Sequence, residues 1–188
     1  MEKKDIIIGI DPDINESGVA VFRTVERHLH LHKLQFPDML KLISDIAREA
    51  SDTGRSIHVY VEAGWLNASN WHTQKGKSAN YNAHIGQSVG RNQAVGMLTI
   101  QMLERLSVPV SPIKPLPKSM RVGSGTVQMW SGRDGKITAE ELEQLAEYND
   151  IHIAQKRLNQ DQRDAALIAM RGAGITIAPN KYFGLHLV

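Results

Sequence analysis

Short apolar runs alternate along the chain with polar turns and with stretches of helical periodicity. Residues 5–11 form a continuous, largely β-branched run that ends at Asp11-Pro12, which predicts a buried strand. Residues 17–24 predict a second strand. Residues 27–35 alternate between leucine and histidine and predict a half-buried third strand near a sheet edge. Short polar turns between the three predict antiparallel pairing.

The rest of the chain predicts a parallel return and several helices. Apolar positions after Pro37 recur at helical spacing, and residues 57–62 then predict a fourth strand that lies parallel to the first. Downstream, the pattern predicts a helix at residues 84–106 and a short edge strand at 108–112. Two further helices are predicted at 138–148, where Thr138 and Glu141 form a capping box, and at 159–171.

This order of elements predicts one α/β domain over residues 1–188. Its sheet is mixed and five-stranded, with three antiparallel strands followed by parallel strands, and helices flank it. Two stretches lack periodicity. Residues 64–82 predict a long polar loop of the kind that often carries function. Residues 115–136 are rich in Pro, Gly, Ser and Lys and are predicted to be mobile.

Composition narrows the class of protein. The 188 residues are 41% hydrophobic and 22% charged, which is ordinary for a globular domain. The chain has no cysteine, so disulfides and thiolate zinc sites are excluded. The N-terminus lacks the features of a signal peptide, and no apolar run reaches the roughly 20 residues that span a bilayer. We therefore expect a cytoplasmic protein with no membrane partner.

Charge is distributed unevenly. Residues 71–136 contain nine lysines and arginines but only two acids, whereas the rest of the chain is acid-rich. Such a basic segment is typical of a surface that binds a polyanion, and it also fits an ordinary solvated face.

Four carboxylates stand where the predicted fold would bring them together. Asp11 and Glu62 end the first and fourth strands, and Asp161 and Asp164 lie three residues apart on one face of the last helix. Clustered carboxylates need a counter-charge, which Mg²⁺ or Mn²⁺ supplies through oxygen ligands. Paired metals held this way assist displacement at phosphorus, so the pattern favours a phosphodiester nuclease.

The same residues fall into a known order of motifs. Gly9-Ile10-Asp11-Pro12-Asp13 with Ser17-Gly18 comes first, and a strand ending in Glu62 follows. Ile85-Gly86-Gln87-Ser88-Val89-Gly90 begins a helix, and Asp161 to Ala165 form an Asp-x-x-Asp-Ala motif. In order and spacing this resembles a divergent member of the RuvC-type Holliday-junction resolvases, in the ribonuclease-H-like superfamily.

The resemblance implies a ribonuclease-H-like sheet and an endonuclease that resolves four-way DNA junctions as a homodimer, leaving 5′-phosphate and 3′-hydroxyl ends. It implies that the four acids, Asp11, Glu62, Asp161 and Asp164, are catalytic ligands of two Mg²⁺ ions, with Mn²⁺ as a substitute. The helix at 84–106 is the predicted part of the dimer interface. Candidate DNA contacts are an aromatic residue and several basic ones: Trp65, Lys75, Lys77, Arg91, Lys114, Lys118 and Arg121.

Two positions depart from the family pattern. Asp13 replaces the usual Gly, and we interpret it as a turn residue. The stretch from Leu116 to Lys136 is longer than its family counterpart and matches it poorly, so the family pattern does not identify DNA contacts there.

Several alternatives stay open on sequence alone. An actin-like ATPase also opens with a strand, an Asp and a Gly-containing hairpin, but it needs two such domains and this chain has room for one. A broader branched-DNA or flap endonuclease and a catalytically silent nucleic-acid-binding relative are the other candidates. Trp65, with Trp71 and Tyr81 as weaker cases, either stacks on unpaired bases or packs under its own loop.

Histidines form a second group of candidates. His28, His30 and His32 alternate along one strand, so they share a face that is either solvated or metal-binding, and solvation is the commoner case. His152 lies close to the third motif in sequence, where it could assist proton transfer or simply occupy a surface loop.

Overall fold

The computed structural model describes residues 4–67 and 78–178. The strands are β1 (Ile6–Asp11), β2 (Ser17–Arg23), β3 (His28–Leu34), β4 (Ile57–Glu62), β5 (Val110–Ile113), β6 (Ser119–Val122), β7 (Gly125–Gln128) and β8 (His152–Ile153). The helices are α1 (Phe36–Asp52), α2 (Ala79–Arg105), α3 (Ala139–Tyr148) and α4 (Gln160–Gly172), with short 3-10 turns at Gly64–Leu66 and Arg133–Gly135. None of the helices in these two ranges is long and apolar enough to cross a membrane.

The main sheet has the strand order β5-β4-β1-β2-β3-β8. β1, β2 and β3 are antiparallel, whereas β4 is parallel to β1 and β5 is parallel to β4. The predicted mixed sheet with flanking helices is therefore confirmed, with six strands rather than five. The additional strand, β8, pairs parallel to β3 through only two residues, which is too short a run to show a period in the sequence.

Alternation along β1 divides the core into two layers. Ile6, Ile8 and Ile10 are fully buried on one face, where they pack with Met39 and Ile43 of α1. Ile7 faces the other way, into a second cluster that includes the inner face of α4. Because side chains alternate across a strand, Gly9 and Asp11 lie on the same face as Ile7. The last residue of β1 therefore points toward α4.

Helix α4 lies unusually close to the sheet because the contact residues have little or no side chain. An ideal Cβ built on Gly9 would lie 2.5 Å from the carbonyl oxygen of Ala165 and from the amide nitrogen of Ala169. A Cβ on Gly18 would overlap the backbone of Asp161. Ala165 and Ala169 are fully buried, so small residues on both the helix and the strands let α4 approach the sheet closely.

One predicted boundary and one stretch without predicted elements require correction. The helix predicted at 84–106 begins at Ala79, because the Ser78 hydroxyl accepts a hydrogen bond from the backbone N–H of Tyr81 and caps it. Residues 115–136, for which no element was predicted, contain the antiparallel hairpin β6–β7 and a 3-10 turn. The mobility of that segment stays a prediction. The predicted residues Trp71, Lys75 and Lys77 lie outside the described ranges.

Candidate functional site

The ends of β1 and β4 place two carboxylates side by side. Ile10 and Val61 are parallel partners in the sheet, and Asp11 and Glu62 are the next residue of each strand. Tyr60 packs against Gly172 of α4, so alternation along β4 turns Glu62 to the same face as Asp11. The β-branched strands thus fix both backbone positions, and only the side-chain torsions remain free.

Helix α4 brings the other two carboxylates over this point. Asn159 caps the helix and forms a capping box with Gln162, which sets the first turn. Asp11 pairs with Gly18 across β1 and β2, and Gly18 in turn packs against the backbone of Asp161. Asp161 is therefore close to Asp11, because both residues lie next to Gly18. Asp164 is three residues further along and lies on the same face of the helix. The structure places the other three predicted acids, Glu62, Asp161 and Asp164, within electrostatic range of Asp11.

The electrostatics of the two strand acids show how closely the cluster is packed. Burial, reinforced by the charges of Glu62, Asp164 and Asp161, raises the pKa of Asp11 well above its ordinary value. Burial and the charge of Asp164 raise the pKa of Glu62 to about 7. Nearby lysines oppose both shifts without cancelling them. The pair therefore favours protons, or another cation, over a fully ionised state near neutral pH.

Each helix acid has a lysine partner. The Lys33 Nζ of β3 lies 3.2 Å from the Asp161 Oδ2, and the Lys136 Nζ lies 3.2 Å from the Asp164 Oδ2. The hydrogen bond to Asp161 is the main cause of a raised pKa of Lys33. Gln160 adds a second donor, with its Nε2 2.7 Å from the Asp164 Oδ1. Sequence reasoning missed these three partners, because each is far from the strand acids in sequence or carries no motif of its own.

With the side chains so placed, no three His or acidic groups within residues 4–67 and 78–178 converge closely enough to hold one metal ion. Lys33 and Lys136 hold Asp161 and Asp164 in two separate ion pairs, which is a physical reason why the carboxylates do not converge on one point. The chemistry of the donor set nevertheless fits a hard divalent cation. It consists of four carboxylates, two of which have pKa values raised by burial and mutual repulsion.

The loop after Asp11 is tied to helix α2. The Asp13 Oδ1 accepts a hydrogen bond from the backbone N–H of Asn15 at 2.8 Å, which is the turn role predicted for this residue. Its Oδ2 accepts a hydrogen bond from the Asn92 Nδ2 at 3.0 Å, and the Asn92 Oδ1 accepts one from the N–H of Ile14. Asn92 was not predicted. It anchors the loop that follows the first carboxylate.

Trp65 lies in the 3-10 turn that follows β4, and it is partly buried. A Cβ built on Gly96 of α2 would lie 2.8 Å from the Trp65 Cζ3 and 3.1 Å from the Pro12 Cγ. The Trp65 ring and Pro12, which follows Asp11, therefore both pack against this glycine of α2. This contact favours the packing role among the two that the sequence left open, while the exposed part of the ring leaves base stacking as a prediction.

The predicted basic contacts within the described ranges are all exposed: Arg91, Lys114, Lys118 and Arg121. Lys118 is the one whose charge reaches the carboxylates, since it lowers the pKa of Glu62 against the effect of burial. The others lie on the surface of α2, after β5 and on β6.

The histidines lie away from the acids. His28, His30 and His32 share one face of β3, as predicted, and burial together with the nearby His30 lowers the pKa of His32. The ring of His152 lies 5.1 Å from that of His28, because β8 pairs with β3 at the sheet edge. The structure therefore places His152 three strand positions from β1, which argues against a role in proton transfer at the carboxylates.

Comparisons with known proteins gave two solved structures of interest. No family model matches the chain, and no curated protein matches it. The chain is similar to T. thermophilus RuvC in complex with Holliday junction substrate, with 14% identity and a TM-score of 0.41, over 88% of this chain and 90% of that one. It is also similar to Fowlpox virus resolvase with its substrate Holliday junction DNA, with 12% identity and a TM-score of 0.38, over 90% and 97% of the two chains.

Proposed function

We propose that this protein is a metal-dependent endonuclease of the RuvC type that resolves four-way DNA junctions by paired phosphodiester hydrolysis. The observation that carries the proposal is the meeting of four carboxylates at the ends of β1 and β4 and on α4, with raised pKa values at Asp11 and Glu62. A protein that only binds nucleic acid gains nothing from negative charge concentrated where phosphates would lie. The cluster therefore favours catalysis over silent binding.

Asp11, Glu62, Asp161 and Asp164 are the residues that would hold Mg²⁺ or Mn²⁺. Bound divalent ions supply the charge that lets water attack a phosphodiester and lets the 3′-oxygen leave. The chain itself positions the ligands: the sheet fixes Asp11 and Glu62, and the glycine–alanine contact fixes α4. Lys33 and Lys136 neutralise the helix acids before a metal binds, and each is a cation close enough to the site to contact a phosphate.

A four-way junction has two-fold symmetry, so a homodimer would present two equivalent sites to opposed strands. Helix α2 supports this part of the proposal because its exposed surface is partly apolar. Four large hydrophobic side chains on or just beyond its second half are 38–51% exposed: Met97, Leu98, Met102 and Leu106. We propose that this surface contributes to the dimer interface predicted for the helix. Light scattering that shows a monomer at micromolar concentration, both free and bound to a junction, would contradict it.

The test of function is a cleavage panel with Mg²⁺ on a four-way junction, a three-way junction, a flap and a linear duplex of matched sequence. We expect the four-way junction to be cut fastest, with paired incisions and ligatable 5′-phosphate ends. Preferential cleavage of the flap or three-way junction would replace the proposal with a broader branched-DNA nuclease. Binding without cleavage of any substrate, in Mg²⁺ and in Mn²⁺, would leave only the silent binding relative.

A further inference from the structure

The hairpin β6–β7 forms a two-stranded sheet of its own, separate from the main sheet. Most of its residues are exposed, including Ser119, Arg121, Thr126 and Gln128. A two-stranded ribbon is only marginally stable on its own. Its position therefore has to come from how its ends are held.

Both ends of the hairpin segment are anchored in the body of the protein. Met129 and Trp130 follow β7 directly and are buried in the core cluster beneath α4. The N–H of Met129 donates to the carbonyl of Lys118 at 2.9 Å, and a Cβ built on Gly135 would lie 2.5 Å from that same carbonyl oxygen. These contacts hold the base of the ribbon while they leave its strands in solvent.

The anchored ends lie beside the carboxylates. Lys118, which immediately precedes β6, packs against Gly135, the residue before Lys136. Lys136, just after the 3-10 turn that closes the segment, contacts the Asp164 Oδ2. The ribbon therefore rises from the rim of the site, next to the place where a scissile phosphate would lie.

The shape and chemistry of the ribbon suit duplex DNA. Strands β6 and β7 are joined by the two-residue loop Gly123-Ser124, with a positive φ of 59° at Gly123. The loop and the residues after it are small and polar, whereas side chains that wedge between bases are apolar and bulky. The exposed Arg121 is the cation of the ribbon. A two-stranded β-ribbon of this kind fits the major groove of B-DNA.

We propose that β6–β7 lies along a groove of the duplex that flanks the scissile phosphate, with Arg121 on the DNA backbone. The inference rests on the proposed function, since it assigns a role in substrate binding to the same site. Each strand has four residues, so the ribbon is roughly 13 Å long and covers about four base pairs. The flanking duplex, and not only the branch point, is then part of what the protein recognises.

The experiment combines a charge reversal with DNA truncation. Dissociation constants for a four-way junction are measured by fluorescence anisotropy, for wild type and Arg121→Glu, with all arms long and with arms cut back stepwise to a few base pairs. Arg48→Glu is the matched control, because Arg48 is an exposed arginine of α1 (side chain 72% exposed) near the end of the helix that leads to the start of β4, opposite the carboxylates. Arg121→Lys keeps the charge. Circular dichroism and thermal unfolding confirm that each variant folds.

We expect Arg121→Glu to weaken binding to the long-armed junction about tenfold or more and to reduce the slope of log affinity against log salt by about 1. Shortening the arms should weaken binding by the wild type but hardly affect Arg121→Glu, because both changes remove the same contact. Arg121→Lys and Arg48→Glu should behave like the wild type.

Two outcomes would overturn the inference while the proposed function stands. One is wild-type affinity and salt slope in Arg121→Glu, and the other is equal sensitivity of both proteins to arm length. A wild-type protein that neither binds nor cuts any branched DNA would instead remove the proposed function on which the inference rests.

Discussion

The two halves of the carboxylate cluster are held in different ways. Asp11 and Glu62 end buried strands, and burial and mutual repulsion raise their pKa values. Asp161 and Asp164 lie on the half-buried first half of α4, and each contacts a lysine at 3.2 Å. The strand acids thus lack enough positive charge in the protein alone, whereas the helix acids already have it.

Because of this difference, a bound cation would relieve more electrostatic repulsion at the strand ends than on the helix. An ionised carboxylate in a desolvated position costs free energy unless a counter-charge relieves it. The strand acids are therefore the place where a bound metal would contribute most to folding as well as to catalysis. The helix acids can join or leave such a site at small cost, by exchanging a lysine for a metal.

The largest expected effect is at the strand acids, where the same substitutions should lower activity and raise stability. We expect Asp11→Asn and Glu62→Gln to reduce junction cleavage at least about 1,000-fold, because each removes a metal-ligand charge without much change of shape. The same variants should raise the free energy of unfolding of the metal-free protein at pH 8, by roughly 1–3 kcal/mol, because they remove an unfavourable buried charge.

Asp161→Asn is the matched comparison on the helix. It should also lose cleavage, yet its metal-free stability should change by less than about 1 kcal/mol, because only a partly exposed ion pair with Lys33 is lost. Single-turnover cleavage and urea unfolding in EDTA measure both quantities. If all three variants shift stability equally, the distinction between strand acids and helix acids is wrong.

The next effect tests how the two halves are held together. We expect Gly18→Ala to destabilise the protein by about 3 kcal/mol and to impair cleavage strongly, because a Cβ there overlaps the backbone of Asp161 and must displace α4. Urea unfolding and cleavage rates give the two readouts.

Gly90→Ala serves as the control for this substitution. Gly90 lies within α2, and a Cβ there meets no atom of residues 4–67 and 78–178 within 4 Å. Alanine should therefore stabilise the helix by up to about 1 kcal/mol. Equal effects of the two substitutions would show that the contact between Gly18 and α4 does not position the helix acids.

These contrasts also show where sequence reasoning succeeds. Asp11, Glu62, Asp161 and Asp164 were predictable because apolar strands and a capped helix carry them at fixed positions, and local patterns determine those elements. The antiparallel-then-parallel order followed from the short polar turns between the first three strands and from a connecting helix before the fourth. The close contact at Gly18 was not predictable, because a glycine in a strand does not specify which backbone will lie against it.

Other features carry too short a periodic signal. Strands β6 and β7 have four residues each, so the alternation of polar and apolar residues along them, as in Ser119, Met120 and Arg121, is too brief to predict a strand. The β8 strand is held by two ladder positions and by hydrogen bonds from Arg27 to the carbonyls of Asn149 and Asp150, which are contacts between distant parts of the chain. The lysine partners of Asp161 and Asp164 are also distant from them in sequence. The charge balance of the site is therefore visible only in the folded structure.

A smaller effect is the pH dependence of metal-free stability. The pKa of Glu62 rises from an ordinary value of 4.5 to about 7 on folding, so between these values the folded state binds the proton more tightly than the unfolded state. Stability should therefore fall as pH rises from about 4.5 through 7, by up to roughly 3 kcal/mol, and Asp11 acts in the same direction.

Urea unfolding in EDTA between pH 5 and 8 measures this fall, and Glu62→Gln isolates the contribution of Glu62. The fall should be shallower in the variant, and millimolar Mg²⁺ should restore stability to the wild type at pH 8. A wild-type curve that rises with pH over this window, or a variant curve parallel to it, would contradict the raised pKa.

The smallest expected effect concerns the lysine that holds a helix acid. We expect Lys33→Met to lower the Mg²⁺ concentration for half-maximal binding two- to threefold, because Asp161 loses a competing cation and becomes available as a ligand. Calorimetric titration of Mg²⁺ without DNA measures this, so a role of Lys33 in contacting phosphate does not enter. Lys41→Met is the control, since Lys41 makes a similar exposed pair with Asp45 on α1. Weaker Mg²⁺ binding in Lys33→Met than in the control would mean that Lys33 positions Asp161 for the metal rather than competing with it, and the helix acids would then depend on their lysines as the strand acids depend on the metal.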